Sequence, residues 1–191
     1  MGNGNWDTQQ FAKLLLSSQR EEELDPFTVM TFLPIEPHQH VADIGCGPGF
    51  FTIPFAKHLL NGKVYGLDVD EEMLEILRRR VAHVNLGNVE IVKCGVTDFP
   101  VAKETLDGAL LAFVINQNEK RESLIRATHS LLQNGGWCGV LEWYRQETDD
   151  GPPLEQRLDP PEIIKLAKNV GFECKRWRDL NGKQYMVVLR K

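Results

Sequence analysis

Three glycines at alternate positions, Gly45, Gly47 and Gly49, follow directly on the apolar run Val41-Ala42-Asp43-Ile44, and a helix-like pattern follows them. Glycine turns the chain sharply and lets bare backbone approach a ligand. After a buried strand, that arrangement predicts a strand–loop–helix unit of a parallel α/β sheet, with a ligand crevice at the strand's carboxyl end. A second strand-like run, Lys63 to Leu67, ends in Asp68, nineteen residues past Gly49. An acid about 20 residues beyond a glycine loop is placed to accept hydrogen bonds from a ribose. The pair predicts a site for a nucleoside-containing cofactor.

The spacing narrows the choice. Dinucleotide folds use G-x-G-x-x-G and hold a pyrophosphate on the helix N-terminus. Here the order is G-x-G-x-G, and Pro48 inside the loop has no N–H to offer a phosphate. Asp43 would repel a phosphate and suits a cationic group, such as the amino end of a methionine moiety. These residues resemble those of the class I S-adenosylmethionine-dependent methyltransferases, and the chain is most similar to the ubiquinone/menaquinone-methyltransferase-like (methyltransferase type 11) group. The resemblance implies that Gly45, Cys46, Gly47 and Gly49 pass under the methionine moiety and that Asp43 helps hold that end. It further implies that Asp68 takes the ribose hydroxyls, Val69 packs on the adenine, and Ala112 adjoins the cofactor. Where the family often has Gly-Asp after strand three, this chain has Cys94-Gly95, so backbone at Gly95 and Val96 is expected to substitute. S-adenosylmethionine is the expected cofactor, with S-adenosylhomocysteine as product.

At 191 residues the chain is long enough for one domain with a substantial core. A net charge of -5 argues against a nucleic-acid footprint, which is usually basic. The compact cluster Arg78-Arg79-Arg80 falls in the last turns of a predicted helix, where cations favour the dipole. No apolar run approaches the ~20 residues that span a bilayer, and the N-terminus lacks the charged and apolar regions of a signal peptide. The four cysteines are scattered, as expected of small core hydrophobes in a reducing compartment, so a cytoplasmic location is expected. No metal ligand set is expected, and sequence patterning specifies no oligomeric state.

Residues 1–24 are expected to form a helical lid segment, with a helix from Asp7 to Leu24, and residues 25–191 the methyltransferase domain. Asp25-Pro26 opens a short helix. Strands are predicted at His40–Ile44, Lys63–Leu67, Val89–Lys93, Asp107–Phe113, Trp137–Glu142, Phe172–Trp177 and Lys183–Leu189. Helices are expected at 50–60, from Asp70 onward, at 119–132 and from Asp159 to Gly171. Asn181-Gly182 predicts a type I′ hairpin. The predicted architecture is a Rossmann-like, seven-stranded, mostly parallel sheet with one antiparallel strand and helices on both faces.

Methyl transfer from a sulfonium is an in-line displacement, accelerated by alignment and exclusion of water. An acceptor that is already nucleophilic needs no base, and no catalytic residue is assigned. The Asn/Asp-Pro-Pro-aromatic motif of enzymes that methylate amide or base nitrogens is absent after strand four, which favours a small-molecule acceptor. Members of the resembled group often place His at the end of that strand. Asn116 stands there and cannot act as a base at neutral pH. Phe113, Asn116 and Trp143 are candidate acceptor-pocket residues. The phrase Glu142-Trp143, Glu147, Gly151-Pro152-Pro153 and Arg157 resembles one in some bacterial members of the group and is a further candidate lining. Competing readings are a non-catalytic S-adenosylmethionine-binding protein and a protein or RNA methyltransferase.

Overall fold

The computed structural model describes residues 7–191. Residues 1–6 of the expected lid segment therefore lie outside the described residues. Seven strands form one sheet in the order β3-β2-β1-β4-β5-β7-β6. The strands are β1 (His40–Ile44), β2 (Lys63–Asp68), β3 (Val89–Lys93), β4 (Leu106–Ala112), β5 (Leu132–Trp143), β6 (Glu173–Asp179) and β7 (Gln184–Arg190). All neighbours from β3 to β5 pair in parallel, and β7 runs antiparallel to both β5 and β6. The chain reverses its direction of travel across the sheet between β3 and β4, so the crevice falls beside β1, at the strands' carboxyl ends.

Side-chain alternation along the strands splits the core into two faces. Ala42 and Ile44 of β1 join Leu111, Ile125, Ile163 and Tyr185 on one side. Val41 joins Met30, Leu33, Phe55, Trp137 and Met186 on the other. Helices cover both: α3 (Pro26–Met30) and α4 (Thr52–His58) pack with the second cluster, and α6 (Arg121–Leu131) and α7 (Pro160–Val170) with the first. Local chemistry sets the helix ends. Asp70 caps α5 (Glu71–His83) through the amides of Glu72 and Met73. Asp159 and Glu162 form a reciprocal capping box at α7, which ends at left-handed Gly171.

The sequence expectation needs correction at three places. The helix expected from Asp7 to Leu24 breaks into α1 (Thr8–Leu15) and α2 (Ser18–Glu23), because Ser17 stops propagation and caps α2 through the amide of Arg20. The fifth strand begins at Leu132 rather than Trp137, with residues 133–136 looping out between the pairs Leu106–Leu132 and Gly108–Trp137. The hairpin joining β6 to β7 is not type I′: Gly182 is left-handed at φ 75° and Asn181 is not. Asn181 instead accepts the amides of Lys183 and Gln184 through its side chain, and Leu180 pairs with Gln184 around a three-residue loop.

At the outer edge, β6 exposes Lys175, Arg176, Trp177 and Arg178 to solvent. The Arg178 guanidinium lies 4.1 Å above the Phe32 ring, and Arg176 donates to the Phe32 carbonyl at 2.7 Å. Among the described residues, no helix is long and apolar enough to cross a membrane.

Candidate functional site

The glycine loop is tied down by β2. The amides of Gly45 and Cys46 both donate to the Leu67 carbonyl, at 2.7 and 3.1 Å. One oxygen of Asp68 accepts the Gly47 amide at 2.7 Å and the other accepts the Asp70 amide at 2.9 Å. Gly45 (φ 72°) and Gly47 (φ 51°) are left-handed, a conformation that costs glycine little. A Cβ on Gly45 would stand 2.5 Å from Val114 Cγ2, so backbone here passes where no side chain fits.

A cavity of about 430 Å³ opens over this loop, within the size range of small-molecule sites. It brings together Asp43, Gly45, Cys46, Gly47, Asp68, Val69, Gly95, Val96, Ala112 and Phe113, from the ends of four neighbouring strands. Val69 and Val96 are each 51% exposed, an apolar pair left open at the ends of β2 and β3. Three expected residues lie elsewhere. Gly49 is left-handed and buried, and a Cβ there would collide with Leu77. Its smallness admits α5 against the loop. Asn116 is buried away from the cavity, its backbone and side-chain amides both donating to Glu142, at 3.0 and 2.5 Å. Trp143 stands behind Phe113, with ring centroids 6.2 Å apart, and does not reach the cavity.

The 146–157 loop, a candidate lining from sequence, also stays apart. Arg157, 4% exposed, donates to the carbonyls of Pro152, Gln146 and Asp150 and gathers the loop around a hollow of its own. Its arginine shapes the loop from inside.

Asp43 lies at the carboxyl end of β1, 2% exposed, and accepts the Thr52 hydroxyl at 2.6 Å. Burial pushes its carboxyl up to about 7; the Thr52 hydrogen bond opposes this, Asp68 adds to it, and Arg20 opposes it. Arg20 is a residue that sequence reading did not single out. It enters the cavity from α2, with its guanidinium 4.6 Å above Phe50 and 5.5 Å from the centre of Phe113. Burial lowers its pKa to about 10 against the attraction of Asp43, so it stays charged at neutral pH. Its placement depends on the break at Ser17, which no periodic signal in the sequence marks. Phe11 and Leu15 of α1 complete the roof, and Leu15 is the side chain nearest to any Cβ built on Gly47, at 3.7 Å.

Phe113 is itself unusual, a left-handed aromatic residue at φ 61°. Such a backbone costs of order 1–3 kcal/mol and clusters at ligand sites. It lets the chain leave β4 while the Phe113 ring stays on the cavity wall. No histidine is among the described residues that line the cavity.

A family model described as a methyltransferase domain matches residues 41–136. A demethylmenaquinone methyltransferase of Symbiobacterium thermophilum is 31% identical over 108 residues, 56% of this chain and 43% of that protein. A ubiquinone/menaquinone biosynthesis C-methyltransferase of Klebsiella pneumoniae is 29% identical over 132 residues, 68% of this chain and 51% of that protein. The chain thus spans about half the length of the curated relatives it matches. A crystal structure of a SAM dependent methyltransferase from Aquifex aeolicus superposes with a TM-score of 0.90 at 24% identity, covering 97% of this chain and 99% of that one. That likeness shows the fold: the Rossmann-like, seven-stranded sheet of the class I methyltransferases.

Proposed function

The chain belongs to the methyltransferase-domain family, and on that premise we propose that it moves a methyl group from S-adenosylmethionine to a small planar acceptor. The observation that carries this reading is the cavity itself, where Asp43, the left-handed Gly45 and Gly47, Asp68 and the open Val69–Val96 pair meet at adjoining strand ends.

The donor set fits the cofactor. Asp68 accepts one backbone amide on each oxygen, and an ionised carboxylate has about four lone-pair sites, so two ribose hydroxyls can still donate to it. Val69 and Val96 offer an apolar slot for the adenine. Gly45 and Gly47 leave room for the methionine chain, and Asp43 suits its amino group. When bound, S-adenosylmethionine would supply an electrophilic methyl on a cationic sulfur.

The protein's own contribution is to align and to exclude water. Phe11, Leu15, Phe50 and Phe113 give the cavity an apolar, largely aromatic wall suited to a flat acceptor. The relatives' names, demethylmenaquinone and ubiquinone/menaquinone methyltransferases, point to the same class of acceptor. The proposed chemistry needs no base in the cavity. The roof of α1 and α2 is proposed as a lid over the bound cofactor, and a cytoplasmic setting is proposed with it.

Calorimetric titration tests the reading. The protein should bind S-adenosylhomocysteine and not NAD, and Asp68→Ala should weaken binding by about 2 kcal/mol, roughly thirtyfold, through lost charge-assisted hydrogen bonds. Equal affinity of variant and wild type would remove Asp68 from the site, and NAD binding would overturn the cofactor assignment.

A further inference from the structure

Arg20 brings a positive charge into a cavity whose other charged wall residues are acids, yet among the described residues it forms no ion pair. The one hydrogen bond of its guanidinium to them runs from Nη1 to the Leu15 carbonyl at 3.4 Å, near the limit for such a bond. A guanidinium carries five N–H donors in a planar fork matched to two oxygens. Asp43, whose charge it feels, takes its short hydrogen bond from Thr52 instead. Arg20 is thus held by stacking rather than by pairing, and its fork remains available to the cavity.

A second unused donor lies enclosed behind the cavity wall. Asn118 lies in the connection after β4, past Phe113, and its Oδ1 accepts the Lys120 amide. Its Nδ2 is buried with no hydrogen-bond partner among the described residues, and a buried donor left unmade costs about 1–3 kcal/mol. The Arg20 guanidinium therefore borders the part of the cavity built by Phe50 and Phe113 without an acceptor of its own. The loop backbone and Asp43, assigned above to the methionine end, stand on β1.

We propose that Arg20 receives a negatively charged oxygen of the methyl acceptor, so that the acceptor is a planar aryl anion, a carboxylate or phenolate, rather than a neutral ring. This rests on the methyltransferase reading and narrows it. The aromatic faces that flank the guanidinium give the ring its place, and the fork gives the oxygens theirs. Electrostatics favours the same class. The sulfonium proposed for this cavity is a second cation, and an anionic acceptor offsets its repulsion from Arg20 where a neutral one does not.

The test uses the full chain saturated with S-adenosylhomocysteine and titrated with benzoate and with benzamide, a charged and a neutral probe of one shape. Wild type should hold benzoate about tenfold more tightly than benzamide, the strength of a hydrogen bond to a charged group. Arg20→Met should erase that preference while its affinity for S-adenosylhomocysteine stays within about twofold. Equal binding of the two probes by wild type would overturn the proposal without any variant. So would a tenfold loss of S-adenosylhomocysteine affinity in Arg20→Met, since the guanidinium would then belong to the cofactor's own carboxylate. Failure of wild type to bind S-adenosylhomocysteine at all would instead strike the methyltransferase reading beneath it.

Discussion

At the end of β1, Asp43 is 2% exposed; at the end of β5, Glu142 is fully buried. Burial pushes both carboxyls up to about 7. Their surroundings differ. Asp43 takes its hydrogen bonds from Thr52, borders the cavity, and feels the charges of Asp68 and Arg20. Glu142 is closed in by the backbone amides of Ile115, Asn116 and Trp143 and by the Asn116 side chain, with no charge beside it that shifts its titration. Equal burial therefore hides two roles: one acid faces a space where a ligand can meet it, and the other pins the chain leaving β4 to the end of β5.

The sharpest way to break this comparison is through the pH dependence of stability. Each acid's folded pKa lies above its unfolded value, so the native state holds the proton across the window from about 4 to about 7. Stability is then full below that window and is lost as pH rises through about 7. Glu142→Gln should remove roughly 3 kcal/mol of that fall, measured as denaturant unfolding between pH 5 and 8. The remaining fall would belong to Asp43. The Asn116 Oδ1, buried without a hydrogen bond, gives the new amide an atom to donate to once the Asn116 amide turns over. An unchanged pH profile would show that Glu142 titrates as an exposed acid does.

A smaller effect separates the two acids by ligand rather than by stability. If Asp43 meets the cofactor's amino group, binding S-adenosylhomocysteine near pH 7 should release about half a proton, as the carboxyl is half protonated there and a nearby cation favours the carboxylate. Calorimetry in buffers of different ionisation enthalpy reads that number directly. Asp43→Asn should abolish the release and Glu142→Gln should leave it intact. The same release in the Asp43 variant would place the titrating group elsewhere.

How far the site could be read from sequence follows from the same contrast. The Asp43 end was legible because strand ends, glycine spacing and the acid at Asp68 are local features of one stretch of chain. The mostly parallel sheet follows from alternating strand and helix patterns. Glu142 and Asn116 are 26 positions apart, and their mutual burial exists only once β4 and β5 pair. Its place after a strand points Asn116 to the pocket, whereas its side chain turns the other way, to Glu142. Gly49 looked like part of the ligand loop and instead makes room for Leu77, a contact that depends on where α5 lands. Arg20 carries no sequence signal for the same reason, since its position follows from the break between α1 and α2.

The mildest test concerns those two helices. Within them only Ala12 is buried as a whole residue, whereas β1 and β4 are buried along most of their length. Hydrogen exchange should find residues 7–24 weakly protected and slowed by S-adenosylhomocysteine, with the strands protected from the start. Strong protection of 7–24 that ignores ligand would make them a fixed part of the fold, and their deletion would then cost stability rather than turnover.

The exposed cations of β6 have a consequence for the molecule in solution. An edge strand offers a row of unpaired amides and carbonyls on which a second copy can build, and long, flat, apolar edges aggregate. Here Lys175, Arg176 and Arg178 stand along that row. Two such edges brought together would press like charges against one another. Salt shortens the reach of that repulsion, to about 8 Å at physiological ionic strength, so the protection is a property of the medium as much as of the sequence. Concentrated brine would weaken it first at the one strand farthest from the cofactor crevice.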